Sequence, residues 1–277
     1  MYQLRAPAPA LAGFIEHYWF VASTAEAPLD LRVDVFVDGR ADLIFNFEAA
    51  YERQVIGGAT RVIAASNVDA QRLVPIRIAQ RGAVRTTGVR FRLGGLGAFA
   101  RVPLHTVTGE TPAPAEVLGA EAVGLEAALA ASGVDAQAAL LDAFFVGALA
   151  GGRGFEAFGR ALAAAEAGAT SAAALSAAAG TSPRQVERLF ARYLGFPPQA
   201  LVRVLRFQQA LRALMADPGG TLAEVALAAG YFDQAHFIKD FRRFSGGVPR
   251  GYRGYYPPAG PADFAPNVVV FVQDDAP

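Results

Sequence analysis

LSAAAGTSPRQVERLFARYLGFPP (175–198) and VALAAGYFDQAHFIKDFRRFSGGVP (225–249) are two versions of one pattern. Shifted by 51 positions, Ser182 matches Asp233, Phe190 matches Phe241, Tyr193 matches Phe244, Gly195 matches Gly246 and Pro198 matches Pro249. Each copy reads as a short Ala-rich helix, then a glycine (Gly180, Gly230), a capping residue (Ser182, Asp233) and an amphipathic helix. The second turn is one residue longer. This is the grammar of a helix-turn-helix. The glycine permits the positive φ of a sharp reversal. Small Ala side chains let the second helix cross closely, and Ser182 and Asp233 can satisfy free N–H groups at its start. Val186, Leu189, Phe190 and Tyr193 make one face apolar in the first copy, as Phe237, Phe241 and Phe244 do in the second. The other face presents Arg184, Gln185, Glu187, Arg188 and Arg192 in the first copy. In the second it presents Gln234, His236, Lys239, Arg242 and Arg243.

Between the copies, Gln199 to about Ala216 reads as one long helix, with Asp217-Pro218-Gly219-Gly220 ending it and Thr221 capping the next. A rigid connector would place two recognition helices in successive major grooves on one face of double-stranded DNA. The charge distribution agrees. Residues 170–256 hold 11 Arg+Lys against 5 Asp+Glu, a balance of +6. Residues 1–169 hold 14 against 17, a balance of −3, and residues 257–277 hold three acids and no base. A basic module joined to mildly acidic ones suits a nucleic-acid binder with a separate partner domain. Arg242 and Arg243 suit phosphate contacts. Arg184 and Arg188 suit base reading, as does Gln234 beside Lys239. His236 is open between a DNA contact and a polar surface residue.

Outward from this module the pattern changes. FIEHYWFVAS (14–23), LRVDVFVDGRADLIFNF (31–47) and the runs 54–57, 61–64, 73–80 and 84–93 are β-like, with Asp38-Gly39 as a hairpin-type turn. Thr111-Pro112 starts an Ala- and Leu-rich stretch of two or three helices, punctuated by Gly133 and Gly151-Gly152, and Ser171 with Thr170 caps the next. The fold class is therefore α+β. A β-rich sandwich or barrel-like domain (1–110) is followed by a helical connector (111–166), an all-α domain with two helix-turn-helix units joined by a long helix (167–256), and a tail (257–277). In that tail, Val268–Val272 either pairs with an edge of the N-terminal sheet or is a loose end.

The segments SPRQVERLF (182–190) and GYFDQAHFIKDFRRFSGGVPRGYR (230–253) resemble the two motifs of the AraC/XylS-type transcription regulators. VDVFVDGRADLIFNF (33–47), GVRFRLGGLGAF (88–99) and VPLHTVTG (102–109) resemble, more loosely, a poorly characterised domain often found ahead of that module. The resemblance implies a DNA-binding transcription regulator. Its N-terminal domain would sense a small-molecule effector or mediate homodimerisation, and RNA polymerase would be a further partner.

Other chemistry finds little support. The chain has no cysteine and three scattered histidines (His17, His105, His236), which removes disulfides, cysteine nucleophiles and an alkyl-acceptor repair protein. We expect no catalytic site, no metal and no cofactor. Glu16, His17 and Glu48 are a weak metal set, and Gly94-Gly95 with Gly97 is read as a turn. The alternative is a small barrel enzyme fused to a DNA-binding module. His17-Tyr18-Trp19 could line a pocket but suits core better. Arg90 and Arg92, alternating with Val89, Phe91 and Leu93, either enter a barrel to bind an anion or face water, and water is preferred. With no membrane span or signal peptide legible, a cytoplasmic location is expected.

If Arg and Lys contacts to phosphate supply most of the affinity, DNA binding weakens steeply with salt. Arg242→Ala or Arg243→Ala then lowers affinity for all sequences alike and reduces the log–log salt slope by about one. Fluorescence anisotropy across a salt series reads this directly, and a salt-independent affinity contradicts it.

Overall fold

The computed structural model describes residues 2–149, 153–216, 219–252 and 268–270. The expected breaks at Gly151-Gly152 and Asp217-Pro218 lie outside them, as does most of the tail. The N-terminal domain is β-sheet and the C-terminal domain α-helical. Nine strands build the first domain: β1 (Tyr2–Arg5), β2 (Ile15–Ala22), β3 (Leu29–Val35), β4 (Asp42–Asn46), β5 (Tyr51–Val55), β6 (Thr60–Ile63), β7 (Asn67–Asp69), β8 (Ile76–Gly82) and β9 (Arg85–Phe91). A tenth, β10 (Val268–Val270), comes from the tail and pairs antiparallel with β3.

These strands form two five-stranded sheets, ordered β1-β2-β9-β4-β7 and β10-β3-β8-β5-β6. The Asp38-Gly39 turn is not the hairpin its sequence suggested. Leu43 on β4 pairs with Val89, whereas Val33 on β3 pairs with Ile78, so the turn carries the chain from one sheet to the other. The alternation in β2 explains the layering. Tyr18 and Phe20 point to one side of the first sheet and are buried against helices. His17, Trp19 and Val21 point to the other side, toward the second sheet.

The helices on the first sheet are α1 (Pro114–Leu118), α2 (Glu121–Ala130) and α3 (Val134–Ala148). Val117, Leu129, Leu141 and Phe145 from them share one core with Phe45, Val89 and Phe91 from the strands. The helix α4 (Arg153–Glu166) belongs elsewhere. Phe158, Ala161 and Leu162 pack with Leu175, Val186, Leu189 and Phe190 of α5 (Ala172–Ala179) and α6 (Pro183–Tyr193). Then come α7 (Pro198–Ala216), α8 (Leu222–Ala228) and α9 (Gln234–Ser245), the last two packed on the second half of α7.

The two domains interpenetrate at one loop. After β3, Phe36 and Val37 leave the sheet and enter the core formed by α7, α8 and α9, where both are fully buried. Phe36 meets Phe207 edge-on at 6.4 Å and Tyr252 at 5.1 Å. The Val37 N–H donates to Phe244 O at 3.0 Å, and Gln208 Nε2 donates to Val37 O at 2.6 Å. The loop backbone is therefore satisfied by the C-terminal domain rather than by a sheet neighbour. Phe36→Ala should lower stability by about 3–5 kcal/mol, the usual loss for a buried aromatic. Urea unfolding measures it, and a change below about 1 kcal/mol would place Phe36 outside the core.

Candidate DNA interface

Each helix pair is built by the local chemistry that its sequence spells. Ser171 caps α5 by accepting from Ala174 N. Gly180 ends it at φ 68°, a conformation that costs other residues, and Ser182 caps α6 by accepting from Gln185 N. In the second pair Thr221 caps α8 in a capping box with Glu224. Gly230 sits at φ 75°, and Asp233 caps α9 by accepting from His236 N. Ser182 and Asp233 are thus occupied as caps, each at the exposed N-terminal end of the second helix of its pair.

The apolar faces are buried as spaced. Arg184, Glu187, Arg188 and Arg192 are exposed on α6 and Gln185 is partly exposed. Gln234, Lys239, Arg242 and Arg243 are exposed on α9. The Arg192 guanidinium lies over the Tyr193 ring at 5.4 Å and that of Arg243 over Phe244 at 5.7 Å, so both heads rest on neighbouring ring faces. His236 is half-buried, edge-on to Tyr231 at 5.1 Å and 3.9 Å from Asp240. That geometry ties its ring to the helix pair.

Three features were missed in the sequence. Asp240 is fully buried on the apolar face of α9, held by Arg203 Nη2 from α7 at 2.5 Å. An acid at an apolar helical position was the available signal. Arg206 covers Tyr231 at 5.4 Å, adding a second α7 anchor. Phe232, in the turn before α9, is 92% exposed.

The C-terminal ends of α6 and α9, positions matched in the repeat, both abut the N-terminal domain. A Cβ at Gly195 would overlap Gln71 and Thr108, and Thr108 Oγ1 donates to Gly195 O at 2.9 Å. A Cβ at Gly246 would stand 2.7 Å from Ile56 Cγ2. Leu73 packs against the cores of both helix pairs at once.

Behind the Phe36–Val37 loop lies a buried charge cluster. Arg90 is not in water, as the alternation had favoured. It is buried within the first sheet's inner face and pairs with both Asp38 and Asp42. Arg92, by contrast, is past the end of β9, is exposed, and donates through Nε to Ala12 O. Burial works against the Asp38 anion, but Arg90, Arg40 and Arg72 outweigh it and hold the carboxyl below the ordinary aspartate range. Asp69 accepts from Arg53 and Arg72. Between the sheets is a cavity of about 190 Å³ whose walls include His17, Trp19, Asp42 and Arg90. Tyr18, between two of these, is core. Among the described residues no three His, Asp or Glu side chains gather as a metal site, and Glu48 pairs instead with Arg85 at 3.8 Å. Gly94-Gly95 opens a short 3₁₀ turn, Gly95–Ala98.

Two family models match, one in each half of the chain, and residues 113–174 lie between them. A family model described as a helix-turn-helix domain matches residues 175–255, and one described as a domain of unknown function matches residues 3–112. A C-terminal helix-turn-helix region thus follows an N-terminal domain, and the chain is similar to regulators of the AraC type. A transcriptional regulator with an AraC-type DNA-binding domain from Chromobacterium violaceum is 28% identical, over 38% of this chain and 96% of that one, at a TM-score of 0.35. A probable AraC family regulator from Rhodopseudomonas palustris CGA009 is also 28% identical, over 35% of this chain and 93% of that one, at 0.32. ToxT from Vibrio cholerae, solved with an unsaturated fatty acid, is 9% identical over 84% of this chain and 96% of that one, at 0.43. No curated protein matches. The helix-turn-helix match is the part of this likeness that a family model carries. Among the described residues, no helix is long and apolar enough to cross a membrane.

Proposed function

We propose that α5–α6 and α8–α9 are two helix-turn-helix units, and that α6 and α9 enter successive major grooves on one face of the operator. The observation that carries this is the paired exposure of Arg184 with Arg188 on α6 and of Gln234 with Lys239 on α9. The α6 pair reads guanine edges, because a guanidinium matches O6 and N7 bidentately. Gln234 reads adenine. Gln185, Glu187 and His236 border these readers, and the backbone N–H groups beside Ser182 and Asp233 face phosphate at the helix starts. Arg192, Arg242 and Arg243, nearer the helix ends, hold phosphates.

The division of labour follows the cores. Because α4 packs on α5 and α6, the DNA-binding unit starts at Arg153, and α1–α3 belong to the sensor body. The two sheets act as a sandwich-like container for a small-molecule effector, and the Phe36–Val37 loop carries its state to α7 and α9. Val123 and Val146, exposed on α2 and α3, suit a homodimer surface. Leu227 and Phe232, exposed beside α9, suit a contact with RNA polymerase.

Because α6 and α9 present different side chains, the site for one protomer is asymmetric. Arg188→Ala should relax preference at one or two base pairs in one half-site, with about 1–3 kcal/mol of discrimination lost, and leave the other half intact. Gln234→Ala should do the reverse. Selection from randomised DNA with wild type and both variants reads this out. If both changes weaken every sequence equally, these residues touch phosphate and the assignment fails.

A further inference from the structure

The cavity between the sheets has an apolar body and one polar end. Trp19, Val21, Leu31, Val33, Ile44 and Ile78 line its walls. Trp19 lies flat across the β9 backbone, and only a glycine at position 88 admits it there, because a Cβ would overlap the indole. His17, Asp42, Asp69 and Arg90 line the polar end.

The hydrogen bonds at that end are unequally filled. Both Asp69 oxygens are taken, Oδ1 by Arg53 and Oδ2 by Arg72. Arg90 spends one terminal nitrogen on Asp38 and the other on Asp42. Among the described residues, Asp42 receives hydrogen bonds from Arg90 alone, through Oδ2. Its side chain keeps 17% accessibility although it lies deep between the sheets.

Three ligand classes compete for such a site. An anion would have to pull Arg90 away from an aspartate and leave that carboxylate buried and unpaired. A neutral ligand fits the walls but leaves Asp42 as it is. A cation or strong donor placed at Asp42 adds a partner and breaks no bond. We propose that the cavity receives a small organic cation, an ammonium or amidinium head on an apolar body, with Asp42 as its counter-charge and Trp19 as its flat wall. This rests on the reading of the N-terminal domain as an effector sensor and names the chemistry of that effector.

The surrounding electrostatics agree with the geometry. Burial, with Asp69 and Asp38 adding to it and Arg90 opposing, lifts the Asp42 carboxyl above the ordinary aspartate range, so its anion is under-compensated. Burial holds His17 below its ordinary value, which favours a neutral ring that does not repel a cation. The aromatic walls favour a cationic head through their ring faces. Asp42 shares Arg90 with Asp38, and Asp38 lies directly after Phe36 and Val37. A cation beside Asp42 therefore loosens its claim on Arg90 and tightens the pair that anchors the loop.

The chain has one tryptophan, Trp19, so its fluorescence reports the cavity directly. The test titrates the full chain with phenethylamine, 2-phenylethanol and 3-phenylpropionate, exciting tryptophan alone. A saturable change with phenethylamine at a concentration at least tenfold lower than for the other two supports the proposal. Asp42→Asn should bring the amine's preference down to about onefold. Ile44→Phe, which fills the cavity with apolar volume and leaves the charges alone, should abolish the signal while circular dichroism stays unchanged. A preference for 3-phenylpropionate, equal response to all three, or no saturable response overturns it. Operator binding measured in the same titrations separates the two readings. Saturable amine binding with unchanged DNA affinity leaves the ligand class standing and removes the sensor role.

Discussion

The insertion of Phe36 and Val37 into the core of α7, α8 and α9 is the contact on which the arrangement of the molecule depends. Two residues from a sheet crossover complete a helical core, and the hydrogen bonds from Val37 N–H to Phe244 and from Gln208 to Val37 O complete the loop's backbone. The contact is apolar at its tip and ionic at its root, where Asp38 holds Arg90. Such a buried ion pair is weak evidence of stability in itself but strongly opposes any geometry that separates its partners. The loop is therefore fixed at both ends, by packing in one domain and by charge in the other.

This anchoring matters because the helical domain has two separate cores. One joins α4, α5, α6 and the first part of α7. The other joins the rest of α7 with α8 and α9. A single 19-residue helix, α7, links them. A lone helix can bend, and in the function proposed for α6 and α9 their spacing must match the pitch of DNA. The N-terminal domain supplies further ties: Leu73 packs on both cores, Gly195 fits against Gln71 and Thr108, and Gly246 fits against Ile56. The N-terminal domain and the helical domain are in this way one mechanical unit.

The sequence was most legible where structure is local. Ser171, Ser182, Thr221 and Asp233 cap the helices they were expected to cap, and the long connector begins one residue earlier than read. The six β-like runs became seven strands, β2–β6, β8 and β9, while β1 and β7, of four and three residues, were too short to show alternation. What alternation cannot state is what a face will meet. The run from Leu31 reads as β-like up to the Asp38-Gly39 turn, yet the strand ends at Val35 and Val37 crosses into the other domain. Arg90 and Arg92 read as a pair, yet the strand ends at Phe91, so one is buried among aspartates and the other reaches solvent. The exposed faces of α6 and α9 were legible because amphipathicity alone decides them. The cavity was not, because it is assembled from residues on both sheets.

On this reading the N-terminal domain holds α6 and α9, the helices proposed to read DNA, at one spacing. The absence of cysteine lets spin labels be placed without background at Glu187→Cys on α6 and Lys239→Cys on α9. The distance distribution between them, measured by pulsed electron paramagnetic resonance in the full chain and in a fragment from Arg153 to the end of the helical domain, tests the claim most directly. The account predicts one narrow distance in the full chain and a distribution at least twice as broad in the fragment. Equal widths and equal means in both would contradict it.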